Sequence, residues 1–454
     1  MAKARKAAAG EAGSPPVDAA AATRVDVAIV GGGMVGASLA LALAATPLRV
    51  MLIEAATAED EHQPSFDDRA IALGNGSRRI LEALGTWSAI DPHASRVREI
   101  QVSDAGHFGA ARLTAADQGL PALGYVCSNR HIGAAFRAAL GQRAGLLLRQ
   151  PAQVSEVQPG VDVARLLVRA ASGATAGAGG PHGQDPRTQD SRTQDSRTEY
   201  VEARLVVAAD GAGSRVRAAA GIASSDEDYE QVAIVVPVQT DRPAAGIAFE
   251  RFTRTGPLAV LPMAGGHYTV VWTLAPARAA EMLALAPARF EAELQQSFGW
   301  RVGRVLRSGA RASYPLRLSR AEALYAPRTV LVGNAAQGLH PVAGQGFNLG
   351  LRDAAVLAEL LAELPAGHGD PGDPALLERY ARRRAGDRGG MIRFTDGLVR
   401  GFSSPRPGLA LARSLALAAF DVSPPAQRAL SRVSWGFGGD TPRLMRGLPL
   451  RADP

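Results

Sequence analysis

The chain of 454 residues has room for about three domains, and its 46% hydrophobic and 20% charged residues are typical of a globular protein. Lys3 and Lys6 are the only lysines, so the formal net charge of +7 comes almost entirely from arginine. No basic cluster is interleaved with the aromatic residues of a nucleic-acid surface, and we expect no nucleic-acid partner. The single cysteine, Cys127, excludes a disulfide framework and a cysteine-rich metal cluster, and it favours the reducing cytoplasm.

The first residues predict a tail outside the fold. Residues 1–23 begin with a few basic residues, but only small, proline and acidic residues follow, whereas a signal peptide needs an apolar stretch there. We therefore expect a disordered tail and no signal peptide. The 22 uncharged residues between Asp26 and Arg49 are long enough to cross a bilayer, but four glycines interrupt them and indicate a different structure.

Those glycines belong to a strand, turn and helix predicted at residues 25–45. Gly31 permits a tight turn, Gly33 lets the backbone approach a pyrophosphate, and Gly36 allows the helix to pack closely on the strand. The next strand ends at Glu54, near the spacing at which a carboxylate binds the ribose hydroxyls of a dinucleotide. The unit predicts a dinucleotide site, the alternative being a glycine-rich turn without a ligand.

Two more strand-to-helix units are predicted further along the chain, at residues 205–220 and 330–364. Residues 98–113 predict a pair of strands. Between the second and third units, runs of strand-forming residues separated by Pro and Gly turns predict an antiparallel sheet and a second domain. These runs are residues 234–238, 248–252, 258–261 and 268–273.

Residues 172–199 predict a flexible surface insertion. A Gly/Ala-rich stretch leads into three copies of a five-residue repeat at 184–198, QDPRT, QDSRT and QDSRT, which have no apolar residue to bury. We expect this insertion to lengthen a hairpin loop and to have no role in chemistry. A second break at 367–374 precedes a basic helix and a C-terminal region interrupted by prolines.

Three motifs occur in order along the chain. The glycine loop at 31–36 is followed by Ala-Asp-Gly at 209–211, and then by Gly-Asn-Ala-Ala-Gln-Gly-Leu-His-Pro-Val-Ala-Gly-Gln-Gly-Phe-Asn-Leu-Gly at 333–350. This order resembles that of the class A flavoprotein monooxygenases, which have the para-hydroxybenzoate hydroxylase fold. Within that group the chain is similar to the ubiquinone-biosynthesis hydroxylases, also through Asp-Arg-Ala-Ile-Ala-Leu at 68–73 and Val-Ser-Asp-Ala-Gly-His at 102–107.

The resemblance implies an α/β fold with three parts. These are a FAD-binding domain of the Rossmann-like, glutathione-reductase type, an antiparallel-sheet substrate domain and a C-terminal helical region. The expected FAD-binding domain consists of residues 24–225 and 321–395. Residues 226–320 are expected to form the substrate domain, and residues 396–454 the C-terminal helical region.

The resemblance also implies a set of residues that bind FAD. In the family, Asp210 helps to hold the cofactor, and Asn334 takes the place of an aspartate that binds a ribitol hydroxyl, for which an amide oxygen is also an acceptor. Backbone N–H groups at the start of the helix in the third strand-to-helix unit face the flavin pyrimidine edge. The alternatives are a helix-capping role for Asn334 and surface positions for the two arginines of the set. The implied cofactor-binding residues are Gly31, Gly33, Gly36, Glu54, Arg69, Arg130, Asp210, Gly333, Asn334, Gly344, Gln345 and Gly346.

No general acid or base is predicted. The eight histidines show neither metal-ligand spacing nor pairing with a carboxylate, so no metal site is expected. His340 and Pro341 are candidates for contacts with the flavin face, and a structural hydrogen-bonding role is the alternative for His340. Ser214 and Arg217 are expected to fix the turn after the second motif.

The absence of a predicted general acid or base is consistent with a reaction whose difficult steps are performed by the cofactor. In the family, FAD takes hydride from NAD(P)H, and O₂ then forms a flavin hydroperoxide that transfers one oxygen to an electron-rich ring. No second dinucleotide fingerprint is present in the sequence. We therefore expect NAD(P)H to bind transiently as a co-substrate, or electrons to arrive from another protein.

The resemblance thus implies a FAD-dependent monooxygenase of ubiquinone biosynthesis, acting with O₂ on a polyprenylated phenol such as a 2-polyprenyl-6-methoxyphenol. A flavin halogenase is disfavoured because the four tryptophans are isolated and its Trp-x-Trp motif is absent. Two alternatives stay open. One is a prenyl-group reductase of the same fold, and the other is a non-catalytic, FAD-bearing scaffold subunit of a quinone-biosynthesis complex.

The apolar tail of such a substrate raises the question of where the enzyme meets it. Residues 396–454 combine eight arginines and four aspartates with apolar stretches at 409–411 and 415–420. We expect a peripheral, salt-sensitive contact with the cytoplasmic face of the inner membrane, or with another quinone-biosynthesis protein. A helical cap packed on the FAD-binding domain is the alternative.

Overall fold

The structure is a computed structural model that describes residues 22–57, 69–170, 198–339, 344–365, 367–403, 407–437 and 439–450. Its helices are α1 (Met34–Leu43), α2 (Asn75–Ala83), α3 (Trp87–Ile90), α4 (Asn129–Gly141), α5 (Arg215–Ala219), α6 (Pro276–Ala284), α7 (Pro287–Phe298), α8 (Gln345–Ala362), α9 (Pro374–Ser403), α10 (Pro407–Asp421) and α11 (Pro424–Ser434). Its strands are β1 (Thr23–Val30), β2 (Val50–Ile53), β3 (Ala70–Gly74), β4 (Ser95–Val97), β5 (Glu99–Asp104), β6 (Ala110–Thr114), β7 (Gly124–Ser128), β8 (Leu146–Arg149), β9 (Ala152–Gln158), β10 (Ala164–Ala170), β11 (Thr198–Ala208), β12 (Ser224–Thr240), β13 (Ile247–Thr253), β14 (Gly256–Pro262), β15 (Tyr268–Leu274), β16 (Val305–Ser308), β17 (Ala312–Ala321), β18 (Tyr325–Ala326), β19 (Thr329–Leu331) and β20 (Gln337–Gly338).

The first sheet has the strand order β18-β19-β11-β1-β2-β8. Strands β19, β11, β1, β2 and β8 are parallel to one another. Strand β18 pairs antiparallel with β19, and β10 and β9 extend β11 as antiparallel strands. Strand β2 is buried along its whole length, as expected for a central parallel strand between layers of helix. Helix α1 packs on α4 and α8. The three predicted strand-to-helix units are therefore confirmed, as β1 with α1, β11 with α5, and β19 with α8.

The second sheet has the strand order β20-β17-β12-β15-β14-β13-β5-β6. The four strands predicted between the second and third units are confirmed as part of β12 to β15, and their mutual pairings are antiparallel. The strand pair predicted at 98–113 is confirmed as β5 and β6. These two strands, however, join the second sheet through a parallel pairing of β5 with β13. A domain boundary drawn by residue range places them with the first sheet, because the local pattern of a strand does not specify a distant partner.

The two faces of the second sheet have different neighbours. Phe249, Val260 and Trp272 point to one face, where they form an apolar core with Phe290 and Phe298 of α7. The opposite face is turned toward a small third sheet of order β3-β7-β4. That third sheet lies between the two large sheets and carries the segment that leads from the first sheet into α2.

Most of the repeat insertion lies outside the described residues. The strands on either side of it, β10 and β11, pair antiparallel, with Arg169 opposite Thr198. The prediction that this segment joins the two strands of a hairpin is therefore confirmed.

The C-terminal region contacts both large sheets. Helix α10 packs on β5 and β6 of the second sheet, while the turn Arg443–Arg446 packs on α2 and α8. Leu444 and Met445 in that turn belong to the core around the first sheet. Among the helices that the structure describes, none combines the length and the apolarity needed to cross a membrane.

Candidate active site

Four loops of the first sheet meet at one edge. Strands β2, β1, β11 and β19 are neighbours and run parallel, so their carboxyl ends lie side by side. Glu54 follows β2, the glycine loop follows β1, Asp210 follows β11, and Gly333 follows β19. In open α/β sheets, ligands bind in the crevice at this edge. The three motifs that lie far apart in the sequence are therefore brought together by the topology.

The glycine loop requires glycine at two positions. Gly31 has φ of +103°, and a Cβ built on it would lie 2.4 Å from the carbonyl oxygen of Ala209. A Cβ on Gly36 would lie 1.9 Å from the carbonyl oxygen of Gly31. Gly33, with φ of −59°, has a conformation that any residue can adopt. The backbone alone therefore does not require glycine at 33, and its predicted contact with a pyrophosphate stays a prediction.

Glu54 is anchored beside this loop. Its side chain is buried, and its carboxylate accepts hydrogen bonds from the backbone N–H groups of Gly32 at 2.5 Å and Ala56 at 2.7 Å. These bonds fix the carboxylate at the end of β2, next to the start of α1. A carboxylate oxygen has further lone pairs, so both bonds leave it able to accept from a ribose hydroxyl.

Asp210 organises the turn after β11. Its carboxylate accepts hydrogen bonds from the Ser214 hydroxyl at 2.5 Å and from the Arg215 backbone N–H at 2.8 Å. Ser214 in turn caps α5 by accepting from the Arg217 backbone N–H at 3.0 Å. The Arg217 guanidinium donates to the carbonyl oxygen of Ala335 at 2.9 Å. Arg217 thus also ties the second motif to the third.

The turn after β19 is held by a buried polar network. Asp353 of α8 accepts hydrogen bonds from the Gly333 backbone N–H at 3.0 Å, from the Gln337 amide at 2.8 Å and from Arg384 at 2.6 Å. Arg384 is fully buried, which disfavours its charge, but the carboxylates of Asp353 and Asp387 outweigh this and raise its pKa. The network fixes Gly333 in its left-handed conformation at the carboxyl edge of the sheet.

Asn334 is exposed on this fixed turn. The residues at the cap positions of the short turn Gly333–Ala335 and of α8 are Val332 and Gly344. The alternative that Asn334 caps a helix is therefore wrong, and its side chain is free of that structural task. Its predicted contact with a ribitol hydroxyl stays a prediction.

The start of α8 is anchored by Asn348. The Asn348 amide donates to the carbonyl oxygens of Ala72 at 2.8 Å and Gly344 at 2.7 Å. Its oxygen accepts from the Gly74 backbone N–H at 2.9 Å and from the Ser77 hydroxyl at 2.6 Å. These four bonds connect α8, β3 and α2, and they hold the first turn of α8 in place.

Gly344, Gln345 and Gly346 lie at this anchored helix start. Gly344 has φ of +60°, and a Cβ on it would lie 2.9 Å from that of Ala72. Gln345 is buried. Around Gly346, no described atom other than those of its chain neighbours and of its own helix backbone lies within 4 Å of a built Cβ. The described protein thus leaves room at Gly346 that a side chain would fill, and a flat ring at the helix start would account for glycine there.

The two helix starts fit two parts of FAD, the pyrophosphate and the flavin ring. Helices α1 and α8 each begin after a glycine, which has no side chain to satisfy the first backbone N–H groups, and neither has an acidic residue in its first turn. Uncapped N–H groups and the helix dipole favour an anion. The start of α1, beside Glu54, suits the pyrophosphate, and the start of α8 suits the flavin pyrimidine edge.

The two predicted arginines lie at different places. The Arg69 guanidinium lies over the ring of Tyr314, 4.5 Å from its centroid, where the first part of the chain meets the second sheet. Arg130 is the second residue of α4 and is exposed. Arg130 therefore opens a helix as expected, while the FAD contacts of both arginines stay predictions. His340 and Pro341 lie outside the described residues.

The second sheet turns one face toward this site. Ala248 on that face packs against β4 and β7. The ring of Tyr314 contacts the Arg69 guanidinium. The ring of Phe252 stacks on that of Phe402 in α9, with 3.7 Å between the ring centroids. The face is therefore enclosed by the third sheet, by Arg69 and by α9, and it forms a second wall opposite the cofactor loops.

One row of side chains across this face is apolar except for a single carboxylate. Every residue of the row is half-buried. The carboxylate belongs to Glu250, whose Oε1 is shielded from solvent and has no hydrogen-bond partner among the described residues. Burial raises the pKa of Glu250 to about 7. The register places in this row Val102, Glu250, Ala259, Val271, Val235 and Ala312.

Cys127 is buried in β7, and burial raises the pKa of its thiol to about 11, so it is an apolar packing residue. Within the described ranges, no group of three or more histidine, cysteine, aspartate or glutamate side chains is placed to hold a metal ion.

Sequence reasoning missed Asn348, Asp353 and Arg384, which position the predicted loops. A signal exists for the first two, since each is a polar residue within an otherwise apolar stretch of the predicted third helix. Glu250 was also missed. It stands next to Arg251 in a strand that does not alternate between apolar and polar residues, so the sequence does not indicate which face is covered.

Comparison with known proteins agrees with this geometry. Residues 24–395 match the FAD binding domain family, so the chain belongs to that family and its cofactor is FAD. Over 438 residues the chain is 37% identical to the ubiquinone hydroxylase UbiL of Rhodospirillum rubrum, with 96% of both chains covered. It is 32% identical to the 3-demethoxyubiquinol 3-hydroxylase of Escherichia coli strain K12, with 91% of this chain and 98% of the other covered.

The fold is similar to that of a crystal structure, p-nitrophenol 4-monooxygenase PnpA from Pseudomonas putida DLL-E4. The TM-score is 0.71 at 18% identity, over 92% of this chain and 99% of the other. At this identity the likeness concerns the fold alone. The expected FAD-binding domain with a second sheet and a C-terminal helical region is confirmed.

Proposed function

We propose that the protein is a FAD-dependent aromatic-ring hydroxylase of ubiquinone biosynthesis. It inserts one oxygen atom of O₂ into a polyprenylated phenol such as a 2-polyprenyl-6-methoxyphenol. The observation that carries the proposal is the similarity to UbiL along 96% of both chains, which includes the loops of the cofactor site. The enclosed apolar face opposite those loops suits an apolar aromatic ring.

Bound FAD supplies the redox chemistry, with electrons from NAD(P)H and oxygen from O₂. The chain's own residues position the cofactor and the substrate and enclose the substrate ring. The start of α1 and Glu54 hold the pyrophosphate and ribose, and the start of α8, fixed by Asn348, holds the flavin edge. The apolar face of the second sheet places the substrate ring and excludes water from it.

The test is a strain that lacks this protein. Mass spectrometry of its quinone precursors should show accumulation of a polyprenylated phenol that is one hydroxyl short, and the mass identifies the ring position that is attacked. Return of the wild-type gene should restore the quinone. Normal quinone content in the deletion strain would contradict the proposal.

The purified protein distinguishes the alternatives. With NAD(P)H and a phenol, a hydroxylase consumes O₂ and forms a hydroxylated product. A prenyl-group reductase consumes no O₂ and reduces a double bond. A scaffold subunit forms no product from any phenol.

We further propose that the C-terminal helices contact the cytoplasmic face of the inner membrane, and that the enzyme takes its substrate from there. Helix α10 exposes Leu411 and Leu415, one turn apart. Arg428 and Arg432 are exposed on the adjacent α11. Apolar side chains beside arginines suit a peripheral contact with anionic lipid. Arg413 does not contribute to such a surface because it forms an ion pair with Asp104 of β5.

This proposal is tested by surface substitutions rather than by truncation. Removal of the chain after residue 401 would also remove Leu444 and Met445 from the core of the first sheet. The double variant Leu411→Ser/Leu415→Ser should lose flotation with anionic vesicles and retain activity on a short-tailed phenol. The control is Leu306→Ser, an exposed leucine on β16 of the second sheet. Unchanged flotation of the double variant would contradict the membrane proposal, and binding to a quinone-biosynthesis protein would then be measured.

A further inference from the structure

Glu250 occupies an unusual position for a carboxylate. Its strand β13 lies inside the second sheet, with β14 on one side and β5 on the other, and its cross-strand neighbours are Ala259 and Val102. Neither neighbour has a polar side-chain atom to pair with it. Its Oε1 is shielded from solvent and has no partner among the described residues. A buried acceptor without a partner is costly and calls for an explanation.

The face that carries Glu250 is the one opposite the cofactor loops. Ala248 and Phe252 are two residues away on either side along β13, so all three side chains point the same way. Ala248 packs on β4 and β7, and Phe252 stacks on Phe402 of α9. Glu250 therefore projects from the sheet between these two contacts, on the face where the substrate ring is proposed to lie.

Two carboxylates on the elements packed around β13 have partners of their own. Asp104 of β5 pairs with Arg413 of α10 at 3.1 Å and with His107 at 3.4 Å. Asp396 of α9 accepts a hydrogen bond from Tyr229 at 3.3 Å.

Three arginines also lie near this strand, and one of them, Arg301, donates a hydrogen bond to the Ser103 hydroxyl of β5 at 3.1 Å. Arg69 lies over Tyr314. Arg251, next in sequence, points to the opposite face, and burial lowers its pKa. Burial is the cause of the raised Glu250 pKa, so no neighbouring charge sets the protonation of Glu250.

We propose that Glu250 is a catalytic residue that binds the phenolic hydroxyl of the substrate and takes its proton. The inference rests on the proposed function, which it deepens by assigning the base. The phenolic O–H bond breaks, an O–H bond to Glu250 Oε1 forms, and the electron pair stays on the phenolic oxygen. Its negative charge raises the electron density at the ortho and para ring carbons, where oxygen is inserted. The proton returns to the product oxygen, so no net charge or electron is left on Glu250.

A carboxylate of this kind is suited to the task. A general base works best when its pKa lies near the working pH, and an enclosed apolar wall produces that condition without a neighbouring charge. The structural role of a buried ion pair is absent here, because Glu250 has no ionic partner among the described residues. Its position is explained by a ligand that donates one hydrogen bond.

The experiment compares two soluble ligands with the FAD-loaded protein. One is a short-tailed 2-prenyl-6-methoxyphenol, and the other is its O-methyl ether, which has no proton to give. Dissociation constants are measured from pH 5 to pH 9 with oxidised enzyme, in the absence of NAD(P)H. The wild-type protein should bind the phenol about tenfold more tightly above pH 7 than below pH 6, since an ionised acceptor makes the stronger hydrogen bond. The ether should show no such change.

Two variants and a control complete the test. Glu250→Gln should lose the pH dependence of phenol binding, leave ether binding unchanged, and lower the hydroxylation rate about 100-fold or more. Glu250→Asp should recover part of the pH dependence of phenol binding and part of the hydroxylation rate. Asp226→Asn, which changes an exposed carboxylate on β12 of the same sheet, should match the wild type.

The outcomes separate this inference from the proposed function. If the wild type hydroxylates the phenol and Glu250→Gln matches it in rate and in pH dependence, the inference is wrong and the proposed function stands. If no form of the protein hydroxylates a phenol, the proposed function is wrong. If Glu250→Gln does not fold, the comparison of phenol with ether in the wild type decides, and an equal pH dependence for both ligands overturns the inference.

Discussion

Replacement of Glu250 by glutamine is expected to stabilise the protein above pH 7. The pKa of Glu250 rises from 4.5 to about 7 on burial, so the folded protein holds this proton more tightly than the unfolded chain does. The contribution of Glu250 to the free energy of unfolding is therefore greatest below pH 4.5 and falls as the pH rises from 4.5 to 7. At 1.36 kcal/mol for each pKa unit, the loss is at most about 3 kcal/mol, an upper limit because the outer atoms of Glu250 keep some contact with solvent.

The assay is thermal unfolding of the FAD-loaded protein at pH 5 and pH 8. Glu250→Gln should unfold a few degrees above the wild type at pH 8, and the difference should shrink at pH 5, where the wild-type carboxyl is largely protonated. Asp226→Asn should follow the wild type at both pH values. A Glu250→Gln protein that is less stable than the wild type at pH 8 would show instead that the carboxylate has a structural partner.

Three further substitutions test the cofactor site. Gly36→Ala should abolish FAD binding, because its Cβ would lie 1.9 Å from the Gly31 carbonyl oxygen, whereas Gly390→Ala in α9, with no described atom within 4 Å of its Cβ, should keep FAD. Gly346→Ala should leave the unfolding temperature of the FAD-free protein unchanged and weaken FAD affinity; equal affinity would place the flavin elsewhere. Asn348→Ala should lower the stability by about 2–4 kcal/mol, because it leaves buried backbone groups at α8 and β3 without partners. An unchanged denaturation midpoint would contradict that anchoring role.

The cofactor-binding loops at the carboxyl edge of the first sheet could be predicted because each of them leaves a local sequence motif. Gly31 and Gly36 are needed by the backbone conformation and packing of a single strand-to-helix unit, and such needs leave a pattern in neighbouring residues. The parallel sheet then brings Glu54, Asp210 and Gly333 to the same edge, since short strands followed by helices rarely arrange in another way.

The second wall of the site could not be predicted in the same way. The pairing of β5 with β13 joins segments that are far apart in the chain, and nothing in the sequence 98–113 specifies that partner. The role of Glu250 depends on which face of β13 is enclosed, which only the packing of α9 and the third sheet decides. Asp353 and Arg384 pair across two helices, and each alone is an ordinary charged residue in a helix.

The proposed function requires that this chain hydroxylates a phenol ring with one atom of O₂. The direct measurement uses the purified, FAD-loaded protein with NAD(P)H, a short-tailed 2-prenyl-6-methoxyphenol and O₂ labelled with a heavy oxygen isotope. Mass spectrometry should find a product that carries one labelled hydroxyl on the ring. An unlabelled product, or consumption of NAD(P)H and O₂ with hydrogen peroxide as the only product, would contradict the account.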